Sequence, residues 1–167
     1  MKKLLYTLCF IFGLCSCSKA QKTTFTAEAL NEVMLTLDEK TIPFSDILKK
    51  YKGKTIVIDV WASWCPDCIK GMPKVEALQK QFPNAVYLFL SYDKTVESWK
   101  AGIEKYNVRG EHYLIQSKWK DGAFRAAIDL DWIPRYMVVD ATGKIALYRV
   151  IEADDEKLLT TLKNLKP

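Results

Sequence analysis

The feature that most constrains this 167-residue chain is a pair of cysteines, Cys65 and Cys68, at a predicted strand–helix junction. Residues 55–61 form an apolar, mostly β-branched run, which is typical of a buried strand. Pro66 lies between the cysteines and is favoured at a first helical position, so the sequence predicts a helix that begins there. Two thiols in one helical turn can close a disulfide. The pair therefore indicates thiol–disulfide chemistry.

The two sulfurs have different predicted surroundings. Cys65 comes at the helix N-terminus, where free backbone N–H groups and the helix dipole stabilise a thiolate, so we expect its pKa to lie below that of an ordinary cysteine. Cys68 lies one turn deeper, where we expect a higher pKa. Cys65 is therefore the candidate attacking nucleophile, and Cys68 is the candidate resolving thiol that needs a base.

The block that runs from Asp59 to Cys68, DVWASWCPDC, resembles the active-site block of thioredoxin-fold oxidoreductases. A second match is Trp132-Ile133-Pro134, which precedes a predicted strand where that family carries its cis-proline. With residues 37–46 in the place of an N-terminal hairpin, the pattern is most similar to the exported, membrane-attached TlpA/ResA-like group. The resemblance covers roughly residues 30–165.

The resemblance and the alternation of strands with helices predict an α/β, thioredoxin-like fold, with a central mixed sheet flanked by helices. An N-terminal hairpin precedes this sheet, and an inserted helix and strand lie between residues 87 and 115. The predicted strands cover residues 33–38, 41–44, 55–61, 85–91, 112–115, 135–140 and 144–150. The predicted helices cover residues 45–51, capped by Ser45, and 66–82, 96–106, 122–130 and 158–165.

The resemblance also implies a role for Asp59, the one acid in the otherwise apolar strand 55–61. The family holds a buried carboxylic acid at this position, and burial raises a carboxyl pKa towards the working pH. Asp59 is therefore expected to act as the base for Cys68, and the catalytic set predicted from the sequence is Cys65, Cys68 and Asp59.

The expected substrate-binding residues flank the dithiol. In the family, the residue before the cis-proline pairs with an extended substrate segment, which assigns that role to Ile133 and Pro134. Trp64 is expected to shield Cys65 and to contribute to the partner surface, together with Pro66 and Asp67. The charge of Asp67 disfavours a nearby thiolate, which lowers the expected reduction potential and favours a reductant.

The start of the chain has the pattern of a targeting sequence. Lys2 and Lys3 precede the apolar stretch 4–14, which is too short to span a bilayer comfortably and has the size of a signal-peptide core. The following Leu-Cys-Ser-Cys resembles a bacterial lipobox, so we expect cleavage before Cys17 and lipidation of that cysteine. A plain signal peptide with incidental cysteines is the alternative.

These features divide the chain into a lipoprotein signal peptide (1–16), a polar tether (17–28) and a thioredoxin-like domain (29–167). Only Cys65 and Cys68 of the five cysteines then remain as thiols. The expected protein is exported, anchored by lipid to a bacterial membrane, and faces the periplasm or the cell exterior.

The expected partners are proteins that carry disulfides or dithiols, with a membrane thiol reductase as electron donor. By resemblance, the substrates include apocytochrome thiols, as in cytochrome c maturation, or proteins with wrong disulfides. A formal net charge of +5 gives no reason to expect nucleic-acid binding. The chain is expected to be a monomer and to need no cofactor and no metal.

Several alternatives remain at this stage. A disulfide-introducing oxidant or an isomerase would use the same dithiol. A thiol peroxidase on the same fold is disfavoured because Ala62 stands where peroxiredoxins carry Thr or Ser. Structural zinc needs four ligands, and beyond the pair the mature domain offers His112 and a tethered Cys17. A lipid-anchored binding module that keeps the motif as structure is the non-enzymatic alternative.

Overall fold

A computed structural model describes residues 21–165, in which seven strands form one mixed sheet. The strands are β1 (Val33–Leu35), β2 (Thr41–Pro43), β3 (Ile56–Trp61), β4 (Val86–Ser91), β5 (Glu111–Ile115), β6 (Arg135–Val139) and β7 (Ile145–Val150). Their spatial order is β2-β1-β5-β4-β3-β6-β7. The helices are α1 (Ala27–Asn31), α2 (Phe44–Lys50), α3 (Pro66–Gln81), α4 (Val96–Lys105), α5 (Ala123–Ala127) and α6 (Glu156–Asn164). The predicted mixed sheet, N-terminal hairpin and inserted helix and strand are confirmed.

The strand β3 forms the centre of this sheet. It pairs in parallel with β4 and antiparallel with β6, and all six of its residues are buried. Because both faces of this strand are buried, its residues do not alternate between apolar and polar types. This explains the nearly continuous apolar run in the sequence. The end of β3 therefore leads directly from the core into the turn that carries Cys65.

The hairpin formed by β1 and β2 differs from the prediction in length and in its cap. β1 ends at Leu35 because the Thr36 N–H donates to the Lys40 carbonyl (2.9 Å) and closes the turn. The helix α2 begins at Phe44 and not at a Ser45 cap, and its N-cap position is Pro43. The Phe44 N–H already donates to the Glu32 carbonyl (2.9 Å), so this helix begins without a side-chain cap.

The packed domain begins before residue 29, the boundary expected from the sequence. Phe25 is buried, and its ring lies 5.0 Å from that of Phe44 and 6.2 Å from that of Phe124. Helix α1 starts at Ala27, inside the segment expected to be a tether, and is capped by the Thr26 side chain. Aromatic burial thus draws the C-terminal part of that segment into the core.

The predicted signal peptide and Cys17 lie outside the described residues. Within residues 21–165, none of the helices combines the length and the apolar character needed to cross a bilayer.

We predict that Phe25→Ala lowers the free energy of unfolding by roughly 3 kcal/mol, since it removes a ring from the cluster with Phe44 and Phe124. Urea unfolding of the oxidised protein measures this change. Leu37→Ala, at a side chain that is 43% exposed, is the control and should cost less than about 1 kcal/mol. Equal and small effects of both changes would show that residue 25 belongs to a tether.

Candidate functional site

The predicted strand–helix junction is present, and it brings the two cysteines together. Cys65 occupies the N-cap position of α3, and the Cys68 N–H donates to the Cys65 sulfur (3.2 Å). The two cysteines form a disulfide with a Cα–Cα distance of 5.3 Å, which lies within the range that a disulfide spans. A backbone N–H aimed at Cys65 Sγ also stabilises a thiolate there once the disulfide is reduced.

The loop before β6 covers the disulfide from the other side. The Ile133–Pro134 peptide bond is cis, as the resemblance implied, and the Ile133 carbonyl oxygen lies 3.5 Å from the Cys65 sulfur. Cys65 is only 4% exposed, so this loop and the helix N-terminus enclose most of its surface. The segment that contains Ile133 and Pro134 is therefore in place to meet a partner that approaches Cys65.

Asp59 lies in the middle of β3 and is 3% exposed. Neither of its carboxyl oxygens has a hydrogen-bond partner at normal distance among the described residues. Burial raises the pKa of Asp59 to about 8, and a weaker interaction with the Tyr136 hydroxyl acts in the opposite direction. A carboxyl group with this pKa exchanges its proton near neutral pH, which is the property that a base for Cys68 requires.

The register of the sheet shows which face Asp59 occupies. Tyr136 of β6 is directly opposite Asp59, so both side chains are on the same face of the sheet. The Tyr136 hydroxyl lies 3.5 Å from the position that a Cβ atom on Gly71 would take. Gly71 is three residues after Cys68 in α3, which covers this face. Asp59 therefore lies on the side of the sheet that the first turns of α3 cover.

An exposed apolar surface surrounds the disulfide. The side chains of Trp64, Trp132 and Ile151 are 54%, 58% and 50% exposed, respectively. Trp132 and Ile151, but not Trp64, line a cavity of about 200 Å³, together with Asp67, Lys70, Gly71, Lys74, Pro134 and Glu152. Of the predicted substrate-binding residues, Asp67 and Pro134 line this cavity, and Ile133 lies beside Cys65. Pro66 and Asp67 are exposed there, and the Trp64 indole N–H donates to the Tyr92 carbonyl (3.4 Å).

Sequence reasoning missed Arg135, which follows the cis-proline. Its side chain is fully buried, and its guanidinium donates to the Ile128 carbonyl (3.2 Å) and to Asp131 Oδ1 (2.6 Å). These bonds hold the loop that ends at Ile133. A charged residue directly after a proline, at the start of an otherwise apolar strand, is the signal that marks this position in the sequence.

Asp93 was also missed, and it fixes the turn before Trp64. Its carboxylate accepts hydrogen bonds from the Ser63 N–H (3.0 Å), the Ser63 hydroxyl (2.6 Å) and the Ser91 hydroxyl (2.8 Å). Helix α4 packs closely against the same turn. A Cβ atom on Gly102 would lie only 2.3 Å from the Ser63 Cβ, so this position has no room for a side chain. No sequence pattern links residues 63, 93 and 102, since only the fold brings them together.

We predict that Asp59→Asn becomes more stabilising, relative to the native residue, as the pH rises. The folded state keeps the Asp59 proton up to about pH 8, whereas the unfolded chain releases it near its ordinary pKa of about 4. The folded state therefore binds more protons across this window, so the unfolding free energy of the native protein falls by at most roughly 1.4 kcal/mol per pH unit. Asparagine has no proton to release.

Denaturant unfolding of the oxidised protein at pH 5 and pH 8 measures this difference. Asp38→Asn, at an exposed position in the β1–β2 turn, is the matched control and should show no such trend. An Asp59→Asn variant that gains nothing between the two pH values would refute the burial argument.

Comparison with known proteins shows which proteins this chain is similar to. The Redoxin family matches residues 19–165. Thiol-disulfide oxidoreductase ResA from Bacillus cereus is 26% identical over 152 residues, which cover 90% of this chain and 83% of the relative. An H-type thioredoxin from Oryza sativa is 41% identical over 74 residues, which cover 44% of this chain and 56% of the relative.

Two solved structures share the fold. A thiol-disulfide oxidoreductase from Bacteroides fragilis superposes with a TM-score of 0.68 at 21% identity, over 83% of this chain and 99% of that one. A secreted Mycobacterium tuberculosis disulfide oxidoreductase homologous to E. coli DsbE gives a TM-score of 0.61 at 20% identity, over 84% of this chain and all of that one.

These likenesses confirm the predicted thioredoxin-like α/β fold and the resemblance to the TlpA/ResA type of thiol–disulfide oxidoreductase. With the Redoxin match spanning nearly the whole chain, this protein belongs to the Redoxin family.

Proposed function

We propose that this thiol–disulfide oxidoreductase is a membrane-anchored, extracytoplasmic enzyme that reduces disulfides in exported proteins through Cys65 and Cys68. The observation that carries the proposal is the disulfide at the N-terminus of α3, which lies against the Ile133 carbonyl on the exposed face of the domain. A structural disulfide needs neither a cis-proline loop against its first sulfur nor a buried acid in the neighbouring strand.

The reaction begins at Cys65. In the dithiol form, the Cys65 thiolate attacks one sulfur of a substrate disulfide, forms a mixed disulfide and releases the other substrate sulfur as a thiolate. Cys68 then attacks the Cys65 sulfur. This step closes the Cys65–Cys68 disulfide, releases the second substrate thiol and leaves the substrate reduced by two electrons.

Asp59 acts in the second step. Cys68 is only 1% exposed, and it must lose its proton to become a nucleophile. The ionised form of Asp59 accepts that proton. With a pKa of about 8, this form is a minority near pH 7 and becomes more populated as the pH rises towards 8. The base therefore works from inside the sheet, where solvent does not compete for the thiol.

The apolar surface around the disulfide is the proposed binding surface for the substrate protein. Trp132 and Ile151 offer large exposed side chains beside the cavity, and Trp64, directly before Cys65, offers a third exposed side chain. Pro66 and Asp67 lie at its edge beside the disulfide. Ile133 and Pro134 present the backbone next to Cys65, where an extended segment of the substrate pairs with the Ile133 backbone in this proposal.

The proposed direction, reduction, rests on Asp67. A carboxylate in the first turn of α3 opposes the formation of a thiolate at Cys65, which destabilises the dithiol form and lowers the reduction potential. The dithiol then needs a supply of electrons, and a membrane thiol reductase is the class of donor that provides them outside the cytoplasm. A net oxidant or isomerase is the alternative that uses the same residues.

The proposed location rests on the N-terminal sequence. The lipobox-like segment assigns a lipid anchor to Cys17, and the polar residues after it link the anchor to the domain that begins near Phe25. A secreted relative with the same fold supports a place outside the cytoplasm. Exported proteins with wrong disulfides, or apocytochromes during cytochrome c maturation, are the proposed substrates, and the enzyme acts as a monomer.

We predict that the two cysteine variants fail in different ways. Cys65→Ser removes the nucleophile and abolishes disulfide reduction, lowering the rate at least about 100-fold because a serine hydroxyl stays protonated at neutral pH. Cys68→Ser leaves the first step intact and accumulates a mixed disulfide between Cys65 and the substrate. Mass spectrometry of the quenched reaction with a disulfide-bonded peptide measures both outcomes.

The control for these variants is the native protein treated identically, which should turn over and retain no adduct. Efficient reduction by Cys65→Ser would contradict the assignment of the nucleophile. Rapid oxidation of Cys65 by micromolar peroxide, without disulfide exchange, would instead favour a thiol peroxidase.

A further inference from the structure

The proposed role of Asp59 requires an exit for a proton. The carboxyl accepts one proton from Cys68 in each turnover and must return it before the next. Yet Asp59 is 3% exposed, and neither of its oxygens has a hydrogen-bond partner among residues 21–165. A buried acid in this position needs a neighbouring group that connects it to solvent.

Tyr136 is the polar side chain placed to make that connection. It is opposite Asp59 in the β3–β6 register, on the same face of the sheet, and its side chain is 1% exposed. Burial, together with the charges of Asp59, Glu152 and Asp154, raises the pKa of Tyr136 well above its usual value. Its hydroxyl therefore remains protonated and interacts with Asp59 on one side and with the acidic residues after β7 on the other.

Gly71 provides the opening beyond the hydroxyl. A Cβ at this position would lie 3.5 Å from the Tyr136 oxygen, and no other atom outside its own helix comes within 4 Å. Gly71 also lines the 200 Å³ cavity beside the disulfide, together with Lys74 and Glu152. Gly71 therefore adjoins both the Tyr136 hydroxyl and the cavity, and it places no side chain between them.

A charged cluster occupies the outer end of this path. Lys74 Nζ lies 2.7 Å from Glu152 Oε2 and 3.0 Å from Asp154 Oδ1. All three side chains are about half exposed, so protons exchange freely with solvent there. The titratable groups around the path are Asp59 from β3, Tyr136 from β6, Asp67, Cys68, Lys70 and Lys74 from α3, and Glu152 and Asp154 after β7.

We propose that the Tyr136 hydroxyl relays the proton of Asp59 past Gly71 to the cavity lined by Lys74 and Glu152. The inference rests on the proposed function, because it concerns the base of that reaction. When Cys68 attacks, its proton passes to the Asp59 carboxylate. The protonated Asp59 then donates to the Tyr136 oxygen, while the Tyr136 hydroxyl proton passes to water in the cavity. One proton leaves, no electrons move in this step, and Tyr136 returns to its starting state.

The test is the second phase of the reaction between the reduced protein and dithiobis(nitrobenzoate). The first nitrothiolate is released when Cys65 attacks, and the second when Cys68 resolves the mixed disulfide. Stopped-flow absorbance separates the two phases, and we measure them from pH 5 to pH 9 in water and in deuterium oxide. Asp59 holds a proton up to about pH 8, so it must release that proton through Tyr136 before it can accept the proton of Cys68. We therefore expect Tyr136→Phe to slow the second phase about tenfold near pH 7, with a larger solvent isotope effect and an unchanged first phase.

Gly71→Ala separates the relay from simple damage to the fold. Alanine favours a helix more than glycine does, and a methyl group at 3.5 Å makes ordinary contact, so this variant should melt at the same temperature as the native protein or higher. Because the methyl group closes the path, we expect it to slow the second phase as well. Tyr148→Phe, which removes a hydroxyl bonded to Asp129, is the matched control and should leave both phases unchanged.

The relay predicts one further result. Asp59→Asn/Tyr136→Phe should be no slower in the second phase than Asp59→Asn alone, because the hydroxyl acts only through the acid. A Tyr136→Phe protein with the native rate, pH profile and isotope effect would overturn the relay. If the native protein itself fails to release the second nitrothiolate, the proposed function fails, and this outcome is separate from a failure of the relay.

Discussion

The chemistry of this protein depends on one junction, where the buried strand β3 ends and α3 begins at Cys65. The N-cap position aims the Cys68 N–H at the Cys65 sulfur, and the cis Ile133–Pro134 bond brings a carbonyl oxygen within 3.5 Å of the same atom. Hydrogen bonds from Arg135 and to Asp93 hold the two flanking loops. The sheet and these two loops thus fix the position of the disulfide.

Burial of Asp59 connects this junction to proton transfer. A buried acid in the central strand lowers stability once it is ionised, and its raised pKa reports the same free energy. A purely structural strand gains nothing from such a residue. In this account the protein keeps it because the second thiol needs a base shielded from solvent, and the register with Tyr136 gives that base a neighbour on the path to the cavity.

The elements nearest the site were the most predictable from the sequence. Strong local signals mark the strand 55–61, the helix start at Pro66 and the cis-proline. These signals are the apolar run, the preference of proline for a first helical position, and the family motif. The expected Ser45 cap is wrong, and Phe25 packs in the core although it lies in the expected tether, because tertiary contacts decide both. Phe44 and Phe25 pack with Phe124, which is about 80 to 100 residues away, and a local pattern does not reveal such contacts.

The same reason explains the residues that were missed. Asp93 reaches Ser63 across 30 residues of chain, and Tyr136 meets Asp59 only through the pairing of two antiparallel strands. Sequence patterns identify the groups that react, whereas the sheet register identifies the groups that position them or exchange protons with them.

The reduction potential of the Cys65–Cys68 pair tests the central claim, a dithiol that donates electrons, most directly. Equilibration of the protein in defined thiol buffers, followed by mass-tagging of free thiols, gives this value. The account predicts a potential of roughly −270 mV or lower, similar to that of thioredoxin. A potential near the strongly oxidising end of the scale, roughly −120 mV, would contradict the account and reverse the direction of the reaction.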